Sequence, residues 1–264
     1  MRILLCAPDF FDVRYEINPW MDVENTPQTL KAFSQWRNMI DAIGKAGGII
    51  EHIRPHPDFP DMVFTANAGL IKGKKVVLSN FKYEERQGEQ PLFEEWFLKK
   101  GYQTILLPDE IHFEGAGDGL FFRNLLFLGH GFRTDKESHK MVAECLGVDY
   151  VSLELVDSRF YHLDTCMFIS DEQVCFYADA FTPESLSAAL GKLTDYVCKE
   201  NLSIKISAVS ESQATNFICN SLSVKGTVIT PASNHGSVFS RAQVCDMSEF
   251  MKSGGAVKCL TLTL

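Results

Sequence analysis

The chain has 264 residues, 45% hydrophobic and 22% charged, a balance that supports a packed core and excludes a disordered or low-complexity polymer. Its net charge of −9 argues against nucleic acid or an anionic membrane as the main partner, while leaving room for a local basic pocket. No stretch reaches the length of a membrane helix, and MRILLCAPDFFD has too short an apolar run before Pro8 for a secretory leader. The eight cysteines are widely and unevenly spaced with no CxxC pair, which fits free thiols in a reducing cytoplasm better than a disulfide scaffold or zinc ribbon.

RILLCA opens as a buried strand, and PQTLKAFSQWRNMIDAIGKAGG reads as an amphipathic helix with Leu30, Phe33, Trp36, Ile40 and Ile43 on one face. GGIIEHIRP predicts a strand, and MVFTANAGLIKGKKVVLSNF predicts two more joined at Lys72-Gly73. The helix QPLFEEWFLKKG and the strand YQTILLP follow. FFRNLLFLGHG reads as a strand, ESHKMVAECLG as a helix and DYVSLELV as a strand. CMFISDEQVCFYAD reads as a hairpin turning at Asp171-Glu172. After the helix PESLSAALGKLTDYVCKE and the strand LSIKISAV, ATNFICNSLSVKGTVITPA predicts another hairpin. RAQVCDMSEFMKSGG leads by a helix to a last strand that begins at Cys259.

The order strand, strand, helix, strand thus recurs roughly five times, at intervals of about 45–50 residues. With no Pro-, Gly- or Ser-rich linker, this predicts one closed α/β domain over residues 1–264. A doubly wound sheet is the alternative, disfavoured by a hairpin inside each unit.

Cys259 differs from the other cysteines in following Gly254-Gly255, which gives backbone freedom where a thiol is to be presented. A cysteine nucleophile needs a base and charged partners. His52 and His56 are separated by Pro55, so no helix places both on one metal; His112, His130, His139 and His235 read as solvated. His162 stands apart, with Asp164 two residues on and so on the same face of the strand predicted there. HFEGAGDGLF places Glu114 and Asp118 around a glycine-rich turn. PDMVFTANAG places Asp61 and Asn67 on either side of an apolar strand, and GHGFRTD carries Arg133. Taken singly, each has a plain structural explanation: a buried cysteine, an ion pair, a tight turn. Together they describe a pocket whose carboxylates suit a guanidinium and whose arginine clamps a distant carboxylate, the polarity of an arginine-like amino acid.

VFTANAG, FEGAGD, GFRT, YHLDT and GGAVKC, in that order, resemble the guanidino-group-modifying enzymes, the amidinotransferase and arginine deiminase superfamily. The resemblance spans nearly the whole chain and implies the pentein fold, a five-bladed α/β propeller with pseudo-fivefold symmetry. It further implies Cys259 as nucleophile, His162 as acid and base, and Glu114 as the carboxylate that orients the histidine or grips substrate. Asp164 is implied to bind the guanidinium, Arg133 the substrate carboxylate, and Asp61 and Asn67 the substrate. YEINPWM, which supplies Asn18 as a further substrate-binding residue, together with FTANAG looks most like arginine dihydrolases, which yield ornithine, ammonia and carbon dioxide. Two departures bear on this: deiminases usually have aspartate where Asn67 stands, and dimethylargininases lack an aspartate at the place of Asp164. The resemblance implies a small guanidino amino acid as partner and no metal or other cofactor. Arginine deiminase, dimethylargininase and amidinotransferase activities stay open, as does a non-catalytic binding protein of the same fold. Oligomeric state is not set by these residues.

Overall fold

The computed structural model describes residues 1–264 except 235 and 237, so His235 lies outside the described residues. Five three-stranded sheets are arranged around one axis. The first contains β1 (Arg2–Cys6), helix α1 (Thr29–Lys45) and β2 (Ile49–Ile53). The second has β3 (Gly69–Lys72), β4 (Lys75–Leu78), α2 (Glu84–Gln87), α3 (Glu89–Lys99) and β5 (Gln103–Ile105). The third has β6 (Gly119–Phe122), β7 (Leu125–His130), α4 (Ser138–Leu146) and β8 (Asp149–Glu154). The fourth follows α5 (Leu163–Cys166) with β9 (Met167–Ile169), β10 (Gln173–Phe176), α6 (Pro183–Lys199) and β11 (Lys205–Ala208). The fifth follows α7 (Glu211–Thr215) with β12 (Leu222–Val224), β13 (Thr227–Thr230) and β14 (Ala242–Val244). After α8 (Ser248–Met251), β15 (Leu262–Thr263) returns to pair antiparallel with β1, so the first sheet has the order β15-β1-β2.

Every sheet has the same hand-over: an antiparallel pair, then a parallel third strand. Parallel neighbours require a crossover, and a helix supplies it between the second and third strands of the first four units, while in the fifth the described residues between β13 and β14 form no helix. This is the predicted five-bladed α/β pentein propeller. The central strands are continuous apolar runs, with Ile3, Leu4 and Leu5 in β1 and Leu126, Phe127 and Leu128 in β7 wholly buried. Both faces of such strands meet packed neighbours, and each large side chain removed from water contributes about 1.5–3 kcal/mol.

Local corrections follow from packing. Leu30 is 88% exposed, and α1 instead buries Ala32, Gln35, Trp36, Met39, Ala42 and Ile43. Glu249 explains the start of that face: its Oε2 accepts the Gln28 N–H, and Gln35 Oε1 accepts the Glu249 N–H. FFRNLLFLGHG is a hairpin, since Arg123 takes a positive φ of 54° and reverses the chain between β6 and β7. AQV forms β14 and leaves only a four-residue helix, α8. His139 is buried and not solvated: its Nε2–H donates to the Gly129 carbonyl (3.1 Å) and its Nδ1 accepts from Ser152 Oγ (2.8 Å). Burial pushes its pKa down to about 4, as suits a neutral core imidazole.

Candidate active site

The first strand of each hairpin, together with β15, lines the axis of the ring. The residues just ahead of these five strands form tight turns, so pseudo-symmetry gathers five turns at one end. Asn67 lies ahead of β3, Glu114 and Asp118 ahead of β6, His162 and Asp164 ahead of β9, Asn220 ahead of β12, and Cys259 ahead of β15. Residues scattered over the whole sequence therefore converge.

The local structures are turns where strands were predicted. Asp61 and Asn67 belong to two successive 3₁₀ turns, Pro60–Val63 and Thr65–Ala68. His162 is extended and Asp164 sits in the first turn of α5, so the two do not share a strand face. Cys259 precedes β15 in a turn closed by Leu260 N–H to the Ala256 carbonyl and Thr261 N–H to the Lys258 carbonyl. The two preceding glycines serve close packing as well as freedom. Gly254 has φ 78°, and a Cβ there would lie 2.8 Å from Tyr161 Oη; one on Gly255 would lie 2.5 Å from the Phe64 ring.

Three polar groups form the site. In the first, Cys259 Sγ lies 3.2 and 3.5 Å from the Asp164 carboxyl oxygens and accepts a hydrogen bond from Asn220 Nδ2 at 3.0 Å. Asn220 also holds the backbone around Cys259, its Oδ1 accepting the N–H groups of Ala256 and Cys259. Burial, reinforced by Asp164, pushes the Cys259 thiol well above its ordinary value. Burial likewise raises Asp164 to about 6, against the pull of Lys258.

In the second group, His162 Nε2–H donates to Glu114 Oε2 (2.7 Å), which also accepts from Arg133 Nη1 (3.0 Å). Burial alone would raise Glu114, but Arg133 and then His162 hold it below the usual carboxylate range. Arg133 gives its other terminal nitrogen to the Ile17 carbonyl (2.9 Å) and is sandwiched between the Tyr83 and Tyr161 rings. The expected carboxylate clamp thus has both terminal nitrogens committed within the protein, and its visible task is to fix Glu114.

In the third, Asn67 Oδ1 accepts from Arg86 Nη1 (3.0 Å), while its Nδ2 donates to the Glu114 carbonyl (3.3 Å). Arg86 is locked by a buried two-pronged pair with Glu89. Asp61 accepts from Tyr15 Oη through Oδ2 (3.0 Å), and its buried Oδ1 has no hydrogen-bond partner among the described residues. Burial raises the Asp61 pKa, opposed mainly by Arg86. A buried carboxylate oxygen without a donor costs free energy unless a ligand supplies one.

Asp61, Asn67, Arg86, Arg133, Tyr161 and Cys259 line one small pocket, closed by Ile17, Asn18 and Met21. Only about 10 Å³ is left there, room for about one water. Asn18 is held by its own bonds, Nδ2 to the Ser253 carbonyl and Oδ1 from the Trp20 N–H. His162, Glu114 and Asp164 lie behind this lining, joined to it through Arg133 and Cys259. Among the described residues no three His, Cys, Asp or Glu side chains converge on a point that would hold a metal.

Sequence reasoning missed Asn220, Arg86, Glu89, Tyr15 and Tyr161. Asn220 was accessible in principle, because it occupies the same place in its unit as Asn67 and Cys259 do in theirs. Arg86, within EERQGE, reads as a solvated charge, and only the fold shows it buried against Asn67.

The raised Asp164 pKa carries a prediction. A carboxyl whose folded pKa exceeds its unfolded 3.8 lends stability below pH 3.8 that is lost as pH rises through about 6. Above that window its charge costs up to roughly 3 kcal/mol. Asp164→Asn should therefore melt at a higher temperature than the parent at pH 7.5, with the gap shrinking towards pH 4, while activity is lost. Thermal unfolding across that range measures it.

A fivefold α/β ring with a cysteine, a carboxylate-held histidine and further buried carboxylates at one end of its axis is the build of the guanidino-group-modifying enzymes of the pentein fold. The chain belongs to the family described as N,N dimethylarginine dimethylhydrolase, eukaryotic, which it matches over residues 16–264. It is 40% identical over 273 residues to the bifunctional arginine dihydrolase/ornithine cyclodeaminase ArgZ of Synechocystis sp., covering 99% of this chain and 37% of ArgZ. It is 34% identical over 271 residues to the N(G),N(G)-dimethylarginine dimethylaminohydrolase of Mycobacterium tuberculosis, covering 100% of this chain and 85% of that protein. The crystal structure of the ArgZ N-terminal domain, a cysteine-to-serine variant bound to substrate, superposes with a TM-score of 0.88 at 39% identity, covering 99% of this chain and 97% of that one. This chain thus spans little more than a third of full-length ArgZ. No helix among the described residues is long and apolar enough to cross a membrane, and all eight cysteines are free.

Proposed function

We propose that residues 1–264 form one catalytic domain that hydrolyses the guanidino group of arginine through a covalent intermediate on Cys259. The observation that carries this is the placement of Cys259 Sγ against Asp164 in the same closed pocket as the unpartnered Asp61 Oδ1. A guanidinium supplies an N–H donor for Asp61 Oδ1 and positive charge beside a thiol that burial keeps protonated. Bringing that cation in lowers the cost of the thiolate. Entry of arginine requires the segment bearing Ile17, Asn18 and Met21 to move aside, since the pocket as it stands holds one water.

The thiol proton passes to His162 as the sulfur attacks the guanidinium carbon, and the adduct expels ammonia carrying that proton, leaving an S-linked thiouronium. Because His162 Nε2–H is given to Glu114, Nδ1 is the nitrogen that exchanges this proton. The same imidazole then takes a proton from water, whose oxygen adds to the carbon as the C–S bond breaks, giving citrulline. A second attack with a second water gives ornithine, ammonia and carbon dioxide. The full balance is arginine plus two waters to ornithine, two ammonia and one carbon dioxide.

Asn67 supports the second hydrolysis. Its Nδ2 gives one N–H to the Glu114 carbonyl, and its other N–H suits the carbonyl oxygen of a ureido group. A carboxylate at that position favours the cation and repels that oxygen, on the order of 1–3 kcal/mol for one mispaired contact. Likeness to ArgZ, named as an arginine dihydrolase, points the same way. The family match and the mycobacterial relative favour a second reading, hydrolysis of methylated arginines. Against it, methyl groups would leave Asp61 Oδ1 without a donor. The free cysteines suit a reducing cytoplasm.

Incubation with arginine as the sole amino acid should yield ornithine and about two ammonia per arginine consumed, by mass spectrometry and ammonia assay. Asn67→Asp should accumulate citrulline. If the parent enzyme stops at citrulline it is a deiminase, and if only methylarginines react, releasing methylamines, the second reading holds.

A further inference from the structure

We infer that the axial cavity at the other end of the ring is a second ligand site, built for a small polyvalent anion carrying phosphates or carboxylates. The hairpin turns lie at the far ends of the strands from the active-site turns, and between them the ring encloses a cavity of about 910 Å³. That volume suits a small organic ligand and dwarfs the closed pocket at Cys259. Its wall carries Lys72, Arg123, Lys225, Arg241 and Lys258.

Among the described residues none of these five cations lies within ion-pairing distance of a carboxylate. Asp171 and Glu172, on the turn between β9 and β10, are acidic groups of the same wall, and they are outnumbered. In a chain of net charge −9, five cations around one concavity run against the overall field, although Lys258 also acts on Asp164 and the Lys225 Nζ lies beside Gly47. Lys258 forms part of the floor, where its Nζ donates to the Ala116 carbonyl at 3.4 Å. Burial lowers its pKa, a cost that a bound anion offsets.

The backbone gives an independent sign. The first residue of the β3–β4 turn is Gly73, at φ 62°, the residue that takes a left-handed conformation without penalty. The corresponding residues of the β6–β7 and β12–β13 turns are Arg123, at φ 54°, and Lys225, at φ 50°. Two long cations thus occupy positions where glycine is less strained.

Calorimetric titration of the full chain with inorganic pyrophosphate, and separately with citrate, tests this. Saturable binding of at least one is expected, weakened about tenfold or more in the Arg123→Gly/Lys225→Gly double variant. That variant should melt, without anion, no lower than the parent. Binding of pyrophosphate alone identifies a phosphate ligand, of citrate alone a carboxylate ligand, and of both a site selective for charge. Should the glycine variant fail to fold, Arg123→Gln/Lys225→Gln keeps side chains at both turns and must weaken binding likewise. No saturable heat with either anion, or affinity unchanged in the folded variants, overturns the proposal.

Discussion

Cys259→Ser is expected to lower ammonia release from arginine by about 10³-fold or more, with the fold intact. The serine hydroxyl can keep the Asn220 contact and donate to Asp164 as the thiol does, so the turn before β15 has no reason to rearrange. What disappears is the ability to form an anion: a buried hydroxyl beside Asp164 stays protonated even when a guanidinium arrives. Steady-state ammonia release and circular dichroism measure the two halves of the result. Turnover above a few per cent of the parent would remove Cys259 from the chemistry. The other cysteines are a built-in control. Cys198 is exposed and should tolerate serine, whereas Cys166, Cys175 and Cys219 are core residues whose replacement costs stability and not chemistry.

His162→Asn is expected to stop steady-state turnover by a different route. The thiol can still be drawn towards reaction by the bound guanidinium, but no group remains to activate water on the second half of the cycle. Slow accumulation of a covalent adduct on Cys259 is the expected signature, read by acid quench and intact-protein mass spectrometry. Parent-like turnover would mean that another group supplies the base. The substitution also removes one of the three donors to the Glu114 carboxylate, leaving Arg133 and the Lys82 N–H, so a modest loss of stability should accompany the loss of activity.

The fivefold repeat was legible because it rests on local patterns: apolar runs that can only be buried strands, helices with one apolar face, and turn residues between them. The hairpin at Asp171-Glu172 and the helix Pro183–Lys199 are of this kind. The boundaries next to the site were misread for a physical reason. VFTANA, HLDTC and AVKCL have the composition of strands, yet fold as tight turns because their backbone groups bond across the ring. The Ala66 N–H donates to the Cys259 carbonyl, and the Leu163 N–H donates to Asp118 Oδ1. Such bonds join residues far apart in the chain, and no periodicity encodes them.

The same division runs through the site. The candidate residue types were readable in the chain: a cysteine after two glycines, a histidine near an aspartate, acids around a glycine turn. Who partners whom was decided only by tertiary structure. Asp164 serves Cys259 and not His162, Glu114 takes His162 together with Arg133, and Arg86 orients Asn67. Partnership of this kind depends on burial and on the closure of the ring by β15 against β1. Burial sets how much each charge costs, and closure brings a turn from every unit to one end of the axis.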